Sequence, residues 1–255
     1  MRPELVLSNT TTFFSGNIEA VFRKAKKYGF KYLEVVPYRW TKPVKIYELS
    51  RKYGIEIAGI HMPPASKKSG ILEKLLAFVW EFYLGSGSAN PGLKLAEVFV
   101  KTRQNPVPYL LFHADVVYEM GGNFDKLAKK LNTVVENIPY QTNRPQFFWN
   151  PIAIRQEMRK RRLKVGLVFD PGHFHQTQEK IPRLNLLETY QKTKPEIIHI
   201  SYHDKGIHTL PNQKEQKELR QMLKLHKPQY IVIETNPLVS VKKGKEILEK
   251  IIDET

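Results

Sequence analysis

In the stretch IIHISYHDKGIHTL, an apolar run gives way to a polar loop, and His199, His203, Asp204 and His208 fall within ten positions. Each can carry a proton or hold a metal. The same cargo recurs at the ends of other apolar runs. Glu34 stands in YLEVVP, His61 in IEIAGIHMP, His113 in PYLLFHAD and Glu136 in TVVENIP. Asp170 and His173 stand in VGLVFDPGH, and Glu234 in YIVIETNP. Imidazoles and carboxylates are the donors of Zn²⁺ and Mn²⁺ sites, and the absence of cysteine removes thiolate sites and disulfides. A lone histidine at such a place is usually a hydrogen-bonded structural residue. A carboxylate inside an apolar run is harder to explain, because its lost hydration is costly unless a cation or good donors compensate. Glu136, Asp170, His199 and Glu234 all need that compensation, and a shared divalent ion supplies it.

What positions these residues is a series of short elements. The apolar runs are Leu5–Ser8, Tyr32–Pro37, Ile55–Pro63, Pro108–Asp115, Thr133–Pro139, Val165–His173, Ile197–Asp204 and Tyr230–Pro237. Each is nearly continuous rather than alternating, the pattern of a strand covered on both faces. Stretches with helical spacing lie between them, such as IEAVFRKAKKYGF, where Ile18, Val21, Phe22 and Ala25 form one stripe and Gly29 fits a stop. Such alternation implies parallel strands joined by right-handed crossovers. Eight strands in 255 residues favour one closed (β/α)8 barrel domain spanning 1–255. A doubly wound open sheet is the runner-up, without a Gly-rich phosphate fingerprint to support it. An enlarged helical insert is expected after strand three, over residues 65–105, cut in two by GSGSANPG. Its apolar part, Ile71–Leu84, fits a lid, an outer helix or a subunit contact, and leaves a homodimer open.

The formal charge of +16 favours polyanions or phosphorylated substrates, and a solvated lysine-rich surface is the plainer alternative. The N-terminal MRPELVLSNT has no apolar leader core, and no run approaches the ~20 apolar residues of a membrane span. The expectation is a cytoplasmic protein without membrane contact.

Taken in order, VVENIP, FDPGH, HIS and IETNP resemble the strand-end motifs of the xylose isomerase-like TIM barrels. That superfamily joins sugar isomerases and epimerases to the endonuclease IV type of abasic-site nuclease. The resemblance covers nearly the whole chain, and its motifs separate the members poorly. It implies that Glu136, Asp170, His199 and Glu234 are the ligands of a shared metal site. In isomerase-type members the two glutamates also move a proton between adjacent carbons while one ion, zinc or manganese, stabilises the enediolate. In the nuclease type two or three ions are bound, and His61, His113, His173 and a late His208 join the ligands. The Asp expected two residues before that histidine is absent, since position 206 is glycine.

These considerations rank a sugar or sugar-phosphate isomerase or epimerase first and a hydrolase acting on abasic DNA second. The ranking rests on Gly206 and on MPPASKKSG, which lacks the bulky wedge expected of a DNA-bending loop. Against it, NIPYQTNRPQFFWN lacks the second carboxylate that several epimerases carry. An inert barrel used for binding is the third reading. The residues expected to touch substrate are His173, His203, Asp204, Lys205, Arg39 and Trp40. The densest basic run, Arg159–Lys164, precedes strand six and is expected at the end of the barrel opposite the metal.

Overall fold

A computed structural model describes residues 2–11, 17–37, 42–62, 97–98, 101, 108–204 and 207–255. Strands β1 (Glu4–Ser8), β2 (Tyr32–Val35), β3 (Glu56–His61), β4 (Tyr109–His113), β5 (Thr133–Glu136), β6 (Gly166–Phe169) and β7 (Ile197–Ile200) join β10 (Tyr230–Ile233) in a closed, wholly parallel barrel. Strands β8 (Tyr202–Asp204) and β9 (Ile207–Thr209) form a separate antiparallel hairpin, in which His203 faces His208. The expected (β/α)8 barrel is therefore the observed fold. Residues 63–96, which hold most of the insert after β3, lie outside those described.

Two apolar layers follow from the alternation of side chains along each strand. Val6, Leu111, Val134, Val168, Ile197 and Val232 pack inside the barrel, together with Tyr109 and Tyr230. Their neighbours Leu7, Leu110, Val135, Phe169, Ile198 and Ile233 point outward into the layer shared with the helices. The helices begin and end where local chemistry allows. Asn17 caps Ile18–Lys27, Pro43 opens Pro43–Tyr53, and an Asn212–Glu215 capping box starts Gln213–Leu225.

A local irregularity in β3 bears directly on the site. Leu33 pairs with Ile57 but Glu34 pairs with Gly59, so β3 carries one extra residue, Ala58. Ile57 and Ile60 both face the outer layer, while Ala58 faces inward. Strict alternation from Ile57 would turn His61 outward. The bulge shifts the phase by one residue and sends it to the interior.

Strand six ends sooner than the run VGLVFDPGH suggests. Asp170 leaves the strand and caps the helix Pro171–Lys180, so His173 is helical. A helix over Ala114–Met120 likewise starts directly after His113.

Inside the barrel, Gly59 makes room for Tyr109. A Cβ at Gly59 would lie 2.1 Å from Cε2 of that ring. Gly59→Ala is expected to cost about 1–3 kcal/mol by overpacking, read from urea denaturation. Combined with Tyr109→Leu it should cost less than the two single changes added together. Strict additivity would show that the ring is not the obstacle.

Candidate metal centre

The inward positions at the C-terminal ends of the strands converge at one mouth. β2 supplies Glu34, β3 His61, β4 His113, β5 Glu136 and β7 His199, while Asp170 and Glu234 directly follow β6 and β10. Glu34, Asp170 and His199 are fully buried and Glu136 is 1% exposed. Carboxylates at that depth must be compensated by hydrogen bonds or positive charge.

His199 is the hub. Its Nδ1 lies 3.0 Å from Glu234 Oε2 and 3.6 Å from Glu136 Oε1. Its Nε2 lies 3.1 Å from Glu34 Oε2, and the Tyr109 hydroxyl donates to that same oxygen at 2.7 Å. An ionised carboxylate only accepts, so Nε2 carries the proton toward Glu34. By the same rule Nδ1 donates to Glu234, and it offers a lone pair toward Glu136 and Glu234 only once that proton is given up. The other oxygen of Glu34, Oε1, lies 3.4 Å from His61 Nδ1. His61 Nε2 then faces His113 Nε2 at 3.0 Å, with Glu136 Oε2 at 4.0 Å from the first and 3.5 Å from the second.

Asp170 is held by its neighbours. Its Oδ1 accepts the backbone N–H of His173 at 2.8 Å, and its Oδ2 accepts the hydroxyl of Ser201. The side chain of Asn137 clamps the backbone on both sides, accepting from Asp170 N–H at 3.0 Å and donating to its carbonyl at 3.1 Å. The Asn137 carbonyl in turn lies 2.8 Å from His173 Nδ1. This directs His173 Nε2 away from its own backbone.

Charge and burial oppose each other across the mouth. Burial works against ionisation of Glu34, yet the charge of His199 and hydrogen bonds from His199 and His61 hold its carboxyl below the ordinary range. Glu136 is also lowered, with burial outweighed by His199, His113 and His173. Glu234 is lowered against burial by its bond to His199 and by the charge of His61. Asp170 goes the other way, since burial and the charge of Glu136 outweigh His173 and Ser201. The imidazoles of His199, His61 and His173 are raised despite burial by the carboxylates around them.

The hairpin brings a second histidine group to the mouth. The His203 ring stacks on His173 with centroids 5.9 Å apart and meets His208 edge-on at 4.4 Å. Neither nitrogen of His203 has a hydrogen-bond partner among the described residues. Burial, with His208 and His173 nearby, lowers its pKa to about 4, so the ring is neutral at neutral pH.

Three donor groups are close enough to share an ion. They are Glu34, His61, His199 and Glu234; His61, His113 and Glu136; and Glu136, Asp170 and His199. The donor set fits a divalent cation on two counts. Its nitrogens and oxygens are those of zinc and manganese sites. Moreover, Glu136 Oε2 is buried without a hydrogen-bond partner among the described residues.

The structure thus gathers Glu136, Asp170, His199, Glu234, His61, His113 and His173 as the sequence suggested. His203 arrives beside His173, with His208 against His203. The Asp204 side chain, Lys205, Arg39 and Trp40 lie outside what is described. Sequence reasoning counted Glu34 among the strand-end donors without naming it a ligand, and it overlooked Tyr109, Asn137 and Ser201. A signal existed for Glu34, a lone carboxylate in an apolar run like Glu136.

No protein-family model and no curated protein matches the chain. Solved structures do. An AP endonuclease, family 2, from Brucella melitensis is 15% identical over 97% of this chain and 98% of its own, with a TM-score of 0.54. A xylose isomerase-like TIM barrel/4-hydroxyphenylpyruvate dioxygenase fusion protein is 11% identical at a TM-score of 0.61. It is matched over 100% of this chain, which spans 43% of the fusion. The probable 3-DHS dehydratase AsbF from Bacillus anthracis is 10% identical over 98% of this chain and 97% of its own, at 0.54. The expected likeness to the xylose isomerase-like TIM barrels is present in the fold.

Removing the Asn137 clamp should loosen Asp170 specifically. Asn137→Ala is expected to cost about 1–3 kcal/mol for the backbone groups it strands, measured by chemical denaturation. An unchanged midpoint would show that the amide does not hold this turn.

Proposed function

We propose that the chain, as a single barrel domain, is a divalent-metal-dependent hydrolase of phosphodiester bonds, with a two-ion centre that shares Glu136. One observation carries this reading. The two oxygens of Glu136 face two different donor sets, Oε2 toward His61 and His113 and Oε1 toward His199 and His173. One ion would be held by His61, His113 and Glu136, and the other by Glu136, Asp170 and His199 with Glu234 alongside. Bound ions supply Lewis acidity toward a phosphoryl oxygen and toward water.

The protein's own groups do the positioning. Glu34 takes the outer protons of His199 and His61 and so aims their inner nitrogens at the centre. Asn137 and Ser201 fix Asp170, and Asn137 also fixes the ring of His173. Glu234, with a 12% exposed side chain, is the carboxylate best placed to accept a proton from an attacking water. His203, neutral and unpartnered at the rim, can donate one N–H to a phosphate oxygen of the substrate.

The sequence ranked an isomerase or epimerase first, and one feature supports it as a second reading. Glu136 and Glu234 both approach His199 Nδ1, which suits a single ion flanked by two proton-carrying carboxylates. That arrangement leaves His61 and His113 without a task. The residues on which the original ranking rested, Gly206 and the segment from Pro63, lie outside those described.

Elemental analysis distinguishes the two. The purified chain is expected to hold two ions, zinc or manganese, with His61→Ala/His113→Ala losing one and Glu136→Ala losing both. An abasic-site duplex should be cleaved by the wild type, and the activity abolished by chelator and by Glu136→Ala. A single ion retained in the double variant, together with carbon-bound proton exchange on a ketose phosphate in deuterated water, would establish the isomerase instead. Glu34→Gln, which keeps the shape but weakens the hold on both histidines, should lower metal affinity about 10–100-fold.

A further inference from the structure

The turns entering β5, β6 and β7 lie side by side at the end of the barrel opposite the mouth, because these strands are neighbours in the sheet. They carry Lys129, Lys130, Arg159, Lys160, Arg162, Lys164 and Lys194, all exposed. Among the described residues none of the seven makes an ion pair, whereas two other arginines of the region are tied into the frame. Arg161 pairs with Asp125 and donates to Gly121 O at 2.8 Å. Arg155 binds Glu196 at 2.7 Å and the carbonyls of Thr193, Val165 and Lys194. The result is a rigid scaffold presenting free cations.

Compensation of helix dipoles accounts for basic residues in a last helical turn. It does not account for Arg162 and Lys164, which follow the helix Pro151–Lys160. The backbone adds an independent sign. The two helices nearest the N-terminus are followed by glycine in the left-handed region, Gly29 at φ 68° and Gly54 at φ 63°. The turns before β6 and β7 instead place Arg162 (φ 56°) and Lys194 (φ 44°) there. A side chain at such a φ is strained where glycine is not. Here cationic residues are kept at a cost to stability.

We infer that this quadrant, formed by the turns before β5, β6 and β7, is a binding surface for the phosphate backbone of a nucleic acid duplex, independent of base sequence. It is separate from the mouth and does not depend on the reaction performed there. The large exposed apolar side chains among the described residues are Val44, Tyr118, Leu225 and Leu238, none of them in these turns. Protein interfaces are built around aromatic and apolar anchors, and membrane-surface binding gains strength from buried apolar area. A surface dominated by unpaired lysine and arginine, with Glu196 and Asp125 taken up by Arg155 and Arg161, matches the backbone of a duplex, where charge neutralisation supplies sequence-independent affinity.

The test is anisotropy of a labelled, undamaged random-sequence DNA duplex titrated with full-length protein over a range of salt. The wild type is expected to bind at low salt, with log affinity falling linearly against log salt. Arg162→Gly/Lys194→Gly should raise the thermal midpoint by relieving the strained turns, yet make the salt slope shallower by about 2. A weakened variant that is also more stable cannot be explained by misfolding. Neutralising Lys129, Lys130, Arg159 and Lys160 to glutamine should reduce binding further. Absence of wild-type binding, or equal affinity and slope in both variants, overturns the inference. So does loss of binding to anionic phospholipid vesicles in these variants while duplex affinity stays unchanged.

Discussion

Buried negative charge at the mouth is the constraint around which the rest of this barrel is arranged. Glu34, Glu136 and Asp170 sit at the strand ends with almost no exposure, and Glu234 is only slightly more open. Isolated carboxylates at that depth would be prohibitively costly, and a buried pair repays its desolvation only when further hydrogen bonds complete it. The architecture supplies those partners in order. Tyr109 donates to Glu34 from below, His199 is held between Glu34 and Glu234, and Ser201 and the His173 backbone satisfy Asp170. Even the interior packing serves this end. Gly59 leaves space for the Tyr109 ring, whose hydroxyl reaches Glu34, and Ala58 adds the residue that turns His61 inward.

The strands were legible because each is buried on both sides and so reads as an unbroken apolar run. Strand-end carboxylates were legible for the complementary reason, being the residues that such runs should not contain. Three parts of the design left no comparable mark. The bulge at Ala58 is a matter of pairing with β2, and nothing in IEIAGIHMP announces that its phase slips. Tyr109 reads as one more apolar residue at the start of its strand, since its link to Glu34 spans the barrel interior. The helix Pro171–Lys180 carries two His and two Gln and has only a short apolar stripe. Its opening PGH therefore reads with the strand, although Asp170 followed by proline is also a helix start. In that position Asp170 does two things at once, capping the helix with one oxygen and taking the Ser201 hydroxyl with the other.

Among the described residues, acids and imidazoles gather where the strands finish, and unpaired lysines and arginines gather where β5, β6 and β7 begin. In barrels of this type the C-terminal face carries reactivity and the other face carries stability. Here the second half of that rule is broken locally. Arg162 and Lys194 occupy backbone positions where glycine would be less strained, so the cations are retained despite folding energetics. Net charge alone did not reveal this, because composition records how many cations a chain has and not the conformations they are made to adopt.

Within the mouth, the choice between one ion and two turns on a single side chain. If Glu136 served only a site with Asp170, His199 and Glu234, its Oε1 would be engaged and its Oε2 would remain buried without a hydrogen-bond partner among the described residues. The approach of His61 and His113 Nε2 to 3.0 Å would then serve only a single hydrogen bond between the two rings. In the two-ion reading proposed above, His61, His113 and Glu136 would hold a cation that supplies the missing partner of that oxygen. The Ala58 bulge then acquires a purpose, because without it His61 would face the outer layer and the second donor set could not assemble.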